Sequence, residues 1–215
     1  MFFTTAQSQT ERDFQTWINT TVIGSLCPSK PVKYWLEGQE RMGDDSTRYT
    51  QTLLRAGLGY AMTKNTSLWL GYAWIYTGLP LTMAPFEEDR FWQQLLWVKT
   101  TPYFILMSRT RAEQRFLENR PKTAYRLREL VKLSVLIQPS STLSFVTSDE
   151  VFWHKNNFIG RNSRGFDQNR FFVGLGFKPN NVFVAEIGYM NQTIRRFGVP
   201  NFLAHIASIN FFLTL

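Results

Sequence analysis

Eleven segments of this 215-residue chain alternate polar and apolar side chains at a period of two, and no stretch reads convincingly as an amphipathic helix. The segments cover roughly 14 to 25, 32 to 42, 48 to 62, 66 to 77, 90 to 98, 103 to 117, 123 to 137, 142 to 153, 168 to 178, 182 to 194 and 201 to 215. Most are about 10 to 15 residues long, whereas a globular strand averages about five or six and a tilted membrane-spanning strand needs about nine to eleven. A sheet of this extent has a large apolar face and no helix to cover it, so it must close on itself or meet lipid. The pattern predicts an all-β fold, an antiparallel up-and-down transmembrane β-barrel. A single-chain bacterial barrel with both ends in the periplasm has an even strand number, so about 12 strands are expected, with 10 the next possibility. An even count places a further strand before Asp13, or requires one hairpin to be divided differently.

The connections alternate in length. "CPSK", "TKNT", "KTTP", "QPSS" and "KPNN" are tight turns, while "TGLPLTMAPFEED" and "KNNFIGRNSRGFD" are long. Short turns at one end and longer loops at the other are the habit of outer-membrane barrels, with the turns in the periplasm.

Alternation divides the side chains into two faces. One carries a ladder of charge: Lys33, Glu37, Arg41, Arg55, Arg109, Arg111, Glu113, Arg115, Arg126, Arg128, Lys132, Glu150, Arg170 and Glu186. Gly57, Gly59, Gly71, Gly174, Gly176 and Gly188 share that face, and their missing side chains are expected to leave room for guanidinium groups to cross the interior and meet carboxylates. The other face carries Leu54, Leu58, Leu70, Phe145, Val173, Ile187, Ile209 and Phe211. Tyr34, Tyr60, Tyr76, Trp153 and Phe177 fall near strand ends, where aromatic girdles sit. Charge inside and hydrocarbon outside is the expected arrangement. A soluble periplasmic lipid-binding protein would reverse the faces, and alternation alone is symmetric between the two.

Composition narrows the function. Hydrophobic residues make up 44% of the chain, yet the mean hydropathy of −0.22 and the absence of a long apolar run exclude a transmembrane helix. A formal charge of +8 points to an acidic partner, and the arginines alternate onto one strand face with glutamates among them and no recognisable nucleic-acid motif, which argues against nucleic acid. Cys27 is the single cysteine, and His154 and His205 lie far from it, so neither a disulfide framework nor a metal site is expected, and no cofactor. The first residues, "MFFTTAQSQTERDF", read as the remnant of a signal peptide and a lead-in over 1–12, with a mature start near Gln7 to Gln9. Residues 13–215 then form a single domain.

The order of "DFQTW", "YWLEGQERM", "LGYAWIY", "DRFWQQL", "SRTRAEQRF", "YRLREL", "SDEVFW", "FDQNRFFVGLGF" and "EIGYMNQ" resembles the bacterial family called domain of unknown function 2490 (DUF2490). The resemblance covers nearly the whole chain from Asp13. It implies an outer-membrane β-barrel exported by the general secretory route of a Gram-negative cell, and it implies no activity.

The expected function is non-enzymatic: an outer-membrane barrel whose basic, salt-bridged lumen is either sealed or a narrow channel favouring small anionic solutes. Outer-membrane lipids, lipopolysaccharide and the barrel-assembly machinery are the expected partners. The ending "ASINFFLTL", alternating to its last position, resembles the strand that this machinery recognises. A lipid- or lipopolysaccharide-modifying hydrolase or acyltransferase is the alternative, resting on His205 near Tyr189 and on His154 at the start of a long loop.

Overall fold

A computed structural model describes residues 10–27, 30–79, 82, 84–158, 163–196 and 200–215. They form β1 (Glu11–Ser25), β2 (Val32–Gly43), β3 (Arg48–Ala61), β4 (Thr66–Thr77), β5 (Phe86–Thr100), β6 (Phe104–Leu117), β7 (Ala124–Leu136), β8 (Leu143–His154), β9 (Gly165–Phe177), β10 (Phe183–Ile194) and β11 (Phe202–Thr214). Each strand pairs antiparallel with the next, and β1 closes the barrel on β11 in parallel register from Glu11↔Phe202 to Ile23↔Thr214. Eleven strands lie between the two expected counts. In a meander with an odd number of strands the first and last run the same way, so closure has to be parallel, and Glu11 opens at the end of the barrel opposite Thr214. Of the expected signal remnant and lead-in over 1–12, residues 1–9 lie outside the described residues, while Glu11 and Arg12 belong to β1.

The five turns from "CPSK" to "KPNN" gather at one end and the two long connections at the other, where the four-residue β2–β3 connection is the short exception. Local hydrogen bonds explain the tightness: Asn180 Oδ1 accepts from Val182 N at 2.9 Å and Phe183 N at 2.8 Å, and Thr101 Oγ1 accepts from Phe104 N at 3.0 Å. Two bulges interrupt the alternation near the loop end, at Arg41/Met42 opposite β3 and at Phe152/Trp153 opposite β9.

The barrel is polar inside and apolar outside. Leu70, Phe145 and Ile187 are 65%, 61% and 59% exposed on the outer wall, while Arg111 and Glu113 are 1% exposed within. Carboxylates that do face outward are held by neutral donors: Glu129 by Ser108 and Thr110, Asp149 by Asn169, Asp89 by Tyr72 and Glu87 by Trp74. Each such bond gives a carboxylate a hydrogen-bond donor on an otherwise apolar wall.

The inward glycines correct one expectation: five of the six, Gly57, Gly59, Gly71, Gly174 and Gly188, seat aromatic rings and none seats a guanidinium group, while Gly176 adjoins Ser144, Val146 and Glu186. Gly57 and Gly71 face each other across β3 and β4, and the Trp92 indole lies over both, while Trp69 covers Gly59 and Phe172 covers Gly174 and Gly188. A wide flat ring gains more from a bare backbone than a guanidinium, which needs hydrogen-bond acceptors that glycine does not carry. Trp35 packs edge-on against Trp69 and Trp92, at centroid distances of 5.5 and 6.4 Å, and the three indoles fill one side of the interior. A Cβ at Gly71 would meet the Ala56 carbonyl and Trp92, whereas one at outward Gly38 would have only Leu54 Cδ2 at 3.8 Å. Gly71→Ala is therefore expected to lower unfolding free energy by about 1–3 kcal/mol, and Gly38→Ala to change it by less than about 0.5 kcal/mol, both read from denaturant midpoints.

Candidate functional site

The fourteen residues of the charge ladder all project into the interior, Lys33 at the turn-end rim and the rest deeper, because each occupies the inward parity of a regular strand. They are joined there by Glu88, Arg90, His154 and Asp167, which period-two reading from the sequence leaves out. His154 ends β8 rather than beginning a loop, and its ring is 3% exposed beneath Phe158. Its Nε2 lies 3.2 Å from Asp167 Oδ2, which the second bulge turns inward to meet it.

The ladder is organised around shared carboxylates. Glu113 on β6 accepts from Arg126 Nη2 at 2.6 Å and from Arg128 Nη1 at 2.8 Å, both on β7. Glu150 on β8 accepts from Arg128 at 2.8 Å and Arg109 at 2.9 Å, with Arg170 farther away at 3.9 Å. Glu88 receives Arg90 and Arg115 at 2.5 and 2.6 Å. Across β2 and β3, Glu37 takes Arg55 at 2.5 Å and the Trp35 indole N–H at 2.9 Å. Toward the turn end, Lys132 on β7 reaches Glu186 on β10 at 2.5 Å, passing over two intervening strands and 4.7 Å from the Phe212 ring.

Three lumen arginines, Arg41, Arg111 and Arg170, have no carboxylate partner in hydrogen-bonding reach among the described residues, Arg170 lying 3.9 Å from Glu150. Arg41 donates to Gln39 and Gln51 at 2.7 and 2.6 Å and lies 3.8 Å above the Trp17 ring. Arg111 donates twice to Gln94 and stands 5.0 Å from Trp92. Trp17 also has Arg170 at 4.9 Å, and Phe152 gathers Arg126, Arg128 and Arg170 within 4.5 to 5.1 Å. Ring faces thus replace some of the carboxylates that buried guanidiniums would otherwise require. Arg41, Arg55, Arg90, Arg109, Arg111, Arg115, Arg126, Arg128, Arg170 and Lys132 stand against Glu37, Glu88, Glu113, Glu150, Glu186 and Asp167, ten cations to six carboxylates. The interior holds an excess of positive charge.

Space remains between these contacts. A cavity of about 230 Å³ lies toward the loop end, one of about 320 Å³ in the middle and one of about 280 Å³ toward the turns. The first two share Trp17, Gln39, Arg55, Arg128 and Arg170, and the last two share Val98, Met107, Lys132, Glu186 and Phe212. These shared residues stand as two collars at the boundaries between neighbouring cavities, which follow one another from the loop end to the turn end of the interior. Phe158 packs with Leu117 and Ala124 over the loop-end mouth.

The family described as "Protein of unknown function (DUF2490)" matches residues 14–202. The chain belongs to this family. An uncharacterized protein of Methylorubrum extorquens is 32% identical over 211 residues, covering 97% of this chain and 90% of that protein. No solved structure matches. The DUF2490 description specifies no chemistry, so the lumen must be read from its own geometry.

On the outer wall, Tyr189 OH and His205 Nδ1 are 2.6 Å apart, with Asn191 Nδ2 donating to the phenol oxygen at 3.4 Å. The last hairpin pairs His205 with Asn191 and Tyr189 with Ala207, so the expected neighbours meet on the diagonal. No serine hydroxyl joins it by hydrogen bond among the described residues.

Proposed function

We propose that this DUF2490 protein is a non-enzymatic outer-membrane barrel whose basic lumen is a narrow anion-favouring pathway, held closed at two collars in the state described. The observation that carries the reading is the inverted polarity: wide-open leucine, isoleucine and phenylalanine side chains outside, and ten cations with six carboxylates inside. Water would leave that outer wall exposed, and lipid is the solvent that suits it. Strands of 12 to 15 residues are long enough to cross a bilayer with a tilt. Export, assembly by the barrel machinery and contact with lipopolysaccharide follow from that setting. The excess of positive charge, surrounded by a low-dielectric wall, favours small anions over cations.

The turn-end collar gives a direct test. Lys132→Gln together with Glu186→Gln removes the ion pair without stranding either charge. In planar bilayers under a salt gradient, the wild-type protein is expected to show small anion-selective steps, and the double variant larger ones. Cation selectivity, or silence from both refolded proteins, would overturn the channel reading.

The Tyr189–His205 contact favours a second reading, a lipid-modifying site on the outer wall. It supplies a phenol where an acyl-transfer site of the serine type needs an aliphatic hydroxyl. His205→Ala is accordingly expected to leave the lipid and lipopolysaccharide composition of the producing cell unchanged; a lost modification would move the function from lumen to wall.

A further inference from the structure

The loop-end chamber differs from the other two in what lines it. Arg41, Arg55 and Arg170 face it from β2, β3 and β9, and Arg90, Arg115, Arg126 and Arg128 from β5, β6 and β7. Between them come the amides of Gln15, Gln39, Gln51, Gln168 and Gln192, and Asp167 is the one carboxylate on its wall among the described residues. The glutamates that bind these arginines do not line this chamber; Glu37 and Glu150 line the middle one, and Glu88 and Glu113 line none of the three. Two donors there are unmet: Arg41 Nε and Arg55 Nε are buried without a hydrogen-bond partner, in side chains whose residues are 9% and 5% exposed. A buried guanidinium N–H left unpaired is costly, and a ligand that accepts several hydrogen bonds at once removes that cost.

We propose that this chamber is a binding site for a phosphate-class oxyanion, as the free ion or as the phosphoryl group of a small solute. Planar guanidinium forks match the paired oxygens of a tetrahedral oxyanion, and glutamine amides add neutral donors that a bare halide would use poorly. The 230 Å³ volume is many times the roughly 30 Å³ that one water occupies, so the ion enters with room for part of a solute behind it. Trp17, stacked against Arg41 on the chamber wall, places an indole where binding is optically visible. The assignment rests on the lumen being the functional site and names what that lumen would hold.

The test is a titration of tryptophan fluorescence in detergent-solubilised protein with sodium phosphate, against sodium chloride at matched ionic strength, and with glucose 6-phosphate beside inorganic phosphate. A saturable phosphate response that chloride does not reproduce is expected. Tighter binding of glucose 6-phosphate would identify a phosphorylated solute as the cargo, and equal or weaker binding the free ion. Arg41→Gln should weaken the response about tenfold or more, because a charge-assisted donor is lost. Arg41 has no carboxylate partner to strand, so this variant should keep the heat-dependent gel shift of the folded barrel. Lys99→Gln, on an exposed residue at the turn end of β5 that lines none of the three chambers, should leave phosphate binding within about twofold. Identical phosphate and chloride responses, or no saturation in the wild-type protein, would overturn the site. Saturable phosphate binding by a barrel that never conducts would retain the site and remove the channel; conductance without such binding would do the reverse.

Discussion

Replacing Ile187 with arginine is expected to cost about 2–4 kcal/mol of folding free energy in lipid vesicles, the penalty of placing a guanidinium on the lipid face near mid-bilayer. Ile187 is 59% exposed, lies within β10, and pairs with Leu175 on β9 and Ile209 on β11. Those neighbours offer the new charge no carboxylate. In a soluble barrel the same substitution would place a long charged side chain in water at an already exposed position, where a surface change is worth within about 0.5 kcal/mol. Equilibrium refolding of wild type and Ile187→Arg across a urea series, once in lipid vesicles and once in buffer, separates the two settings. A vesicle midpoint unchanged by the substitution would return the protein to the soluble lipid-binding reading, with its faces unexplained.

This polarity was legible before any coordinates, because strict alternation over segments of a dozen residues sorts side chains onto two faces wherever the backbone is regular. The ladder from Arg109 to Arg115 is inward throughout for that reason. Where the backbone departs from regularity, the sorting fails. The bulge at Phe152/Trp153 turns Asp167 inward beside His154, so both belong to the ladder although the sequence reads them as loop residues. Glu88 and Arg90 escaped for another cause: "FEEDRF" carries charge on both faces, Glu87 and Asp89 bonding outward to Trp74 and Tyr72 while Glu88 and Arg90 pair inside. Alternation of polarity vanishes there although alternation of direction continues. The inward rings of Trp17, Trp92 and Phe152 were invisible for a third reason, since an aromatic residue suits either wall of such a sheet. Only their placement over glycine or arginine shows which wall they serve. The eleven strands of the described residues equal the number of alternating segments in the sequence and fall within the expected range of 10 to 12; an even count follows only if both termini leave the barrel on one side.

Glu113→Gln is expected to be the most destabilising single change in the lumen, at about 3–5 kcal/mol, because it leaves two guanidiniums short of their shared counterion. Glu113 is 1% exposed and binds Arg126 and Arg128 through both of its oxygens. The glutamine keeps the shape and one acceptor, so the loss measures charge rather than packing. Arg128 retains Glu150 at 2.8 Å, and Arg126 retains only Asp167 at 3.5 Å, so Arg126 carries most of the stranded charge. Adding Arg126→Gln should therefore recover a substantial part of the loss, whereas adding Arg128→Gln should not, because it would strip Glu150 of its nearest cation. A double-mutant cycle on unfolding free energies in vesicles reads both couplings directly. The coupling should also persist in high salt, since a buried pair is screened far less than an exposed one. A small loss that fades with added salt would mean that water and mobile ions already fill this tier, and the lumen would then stand open where the structure has it packed.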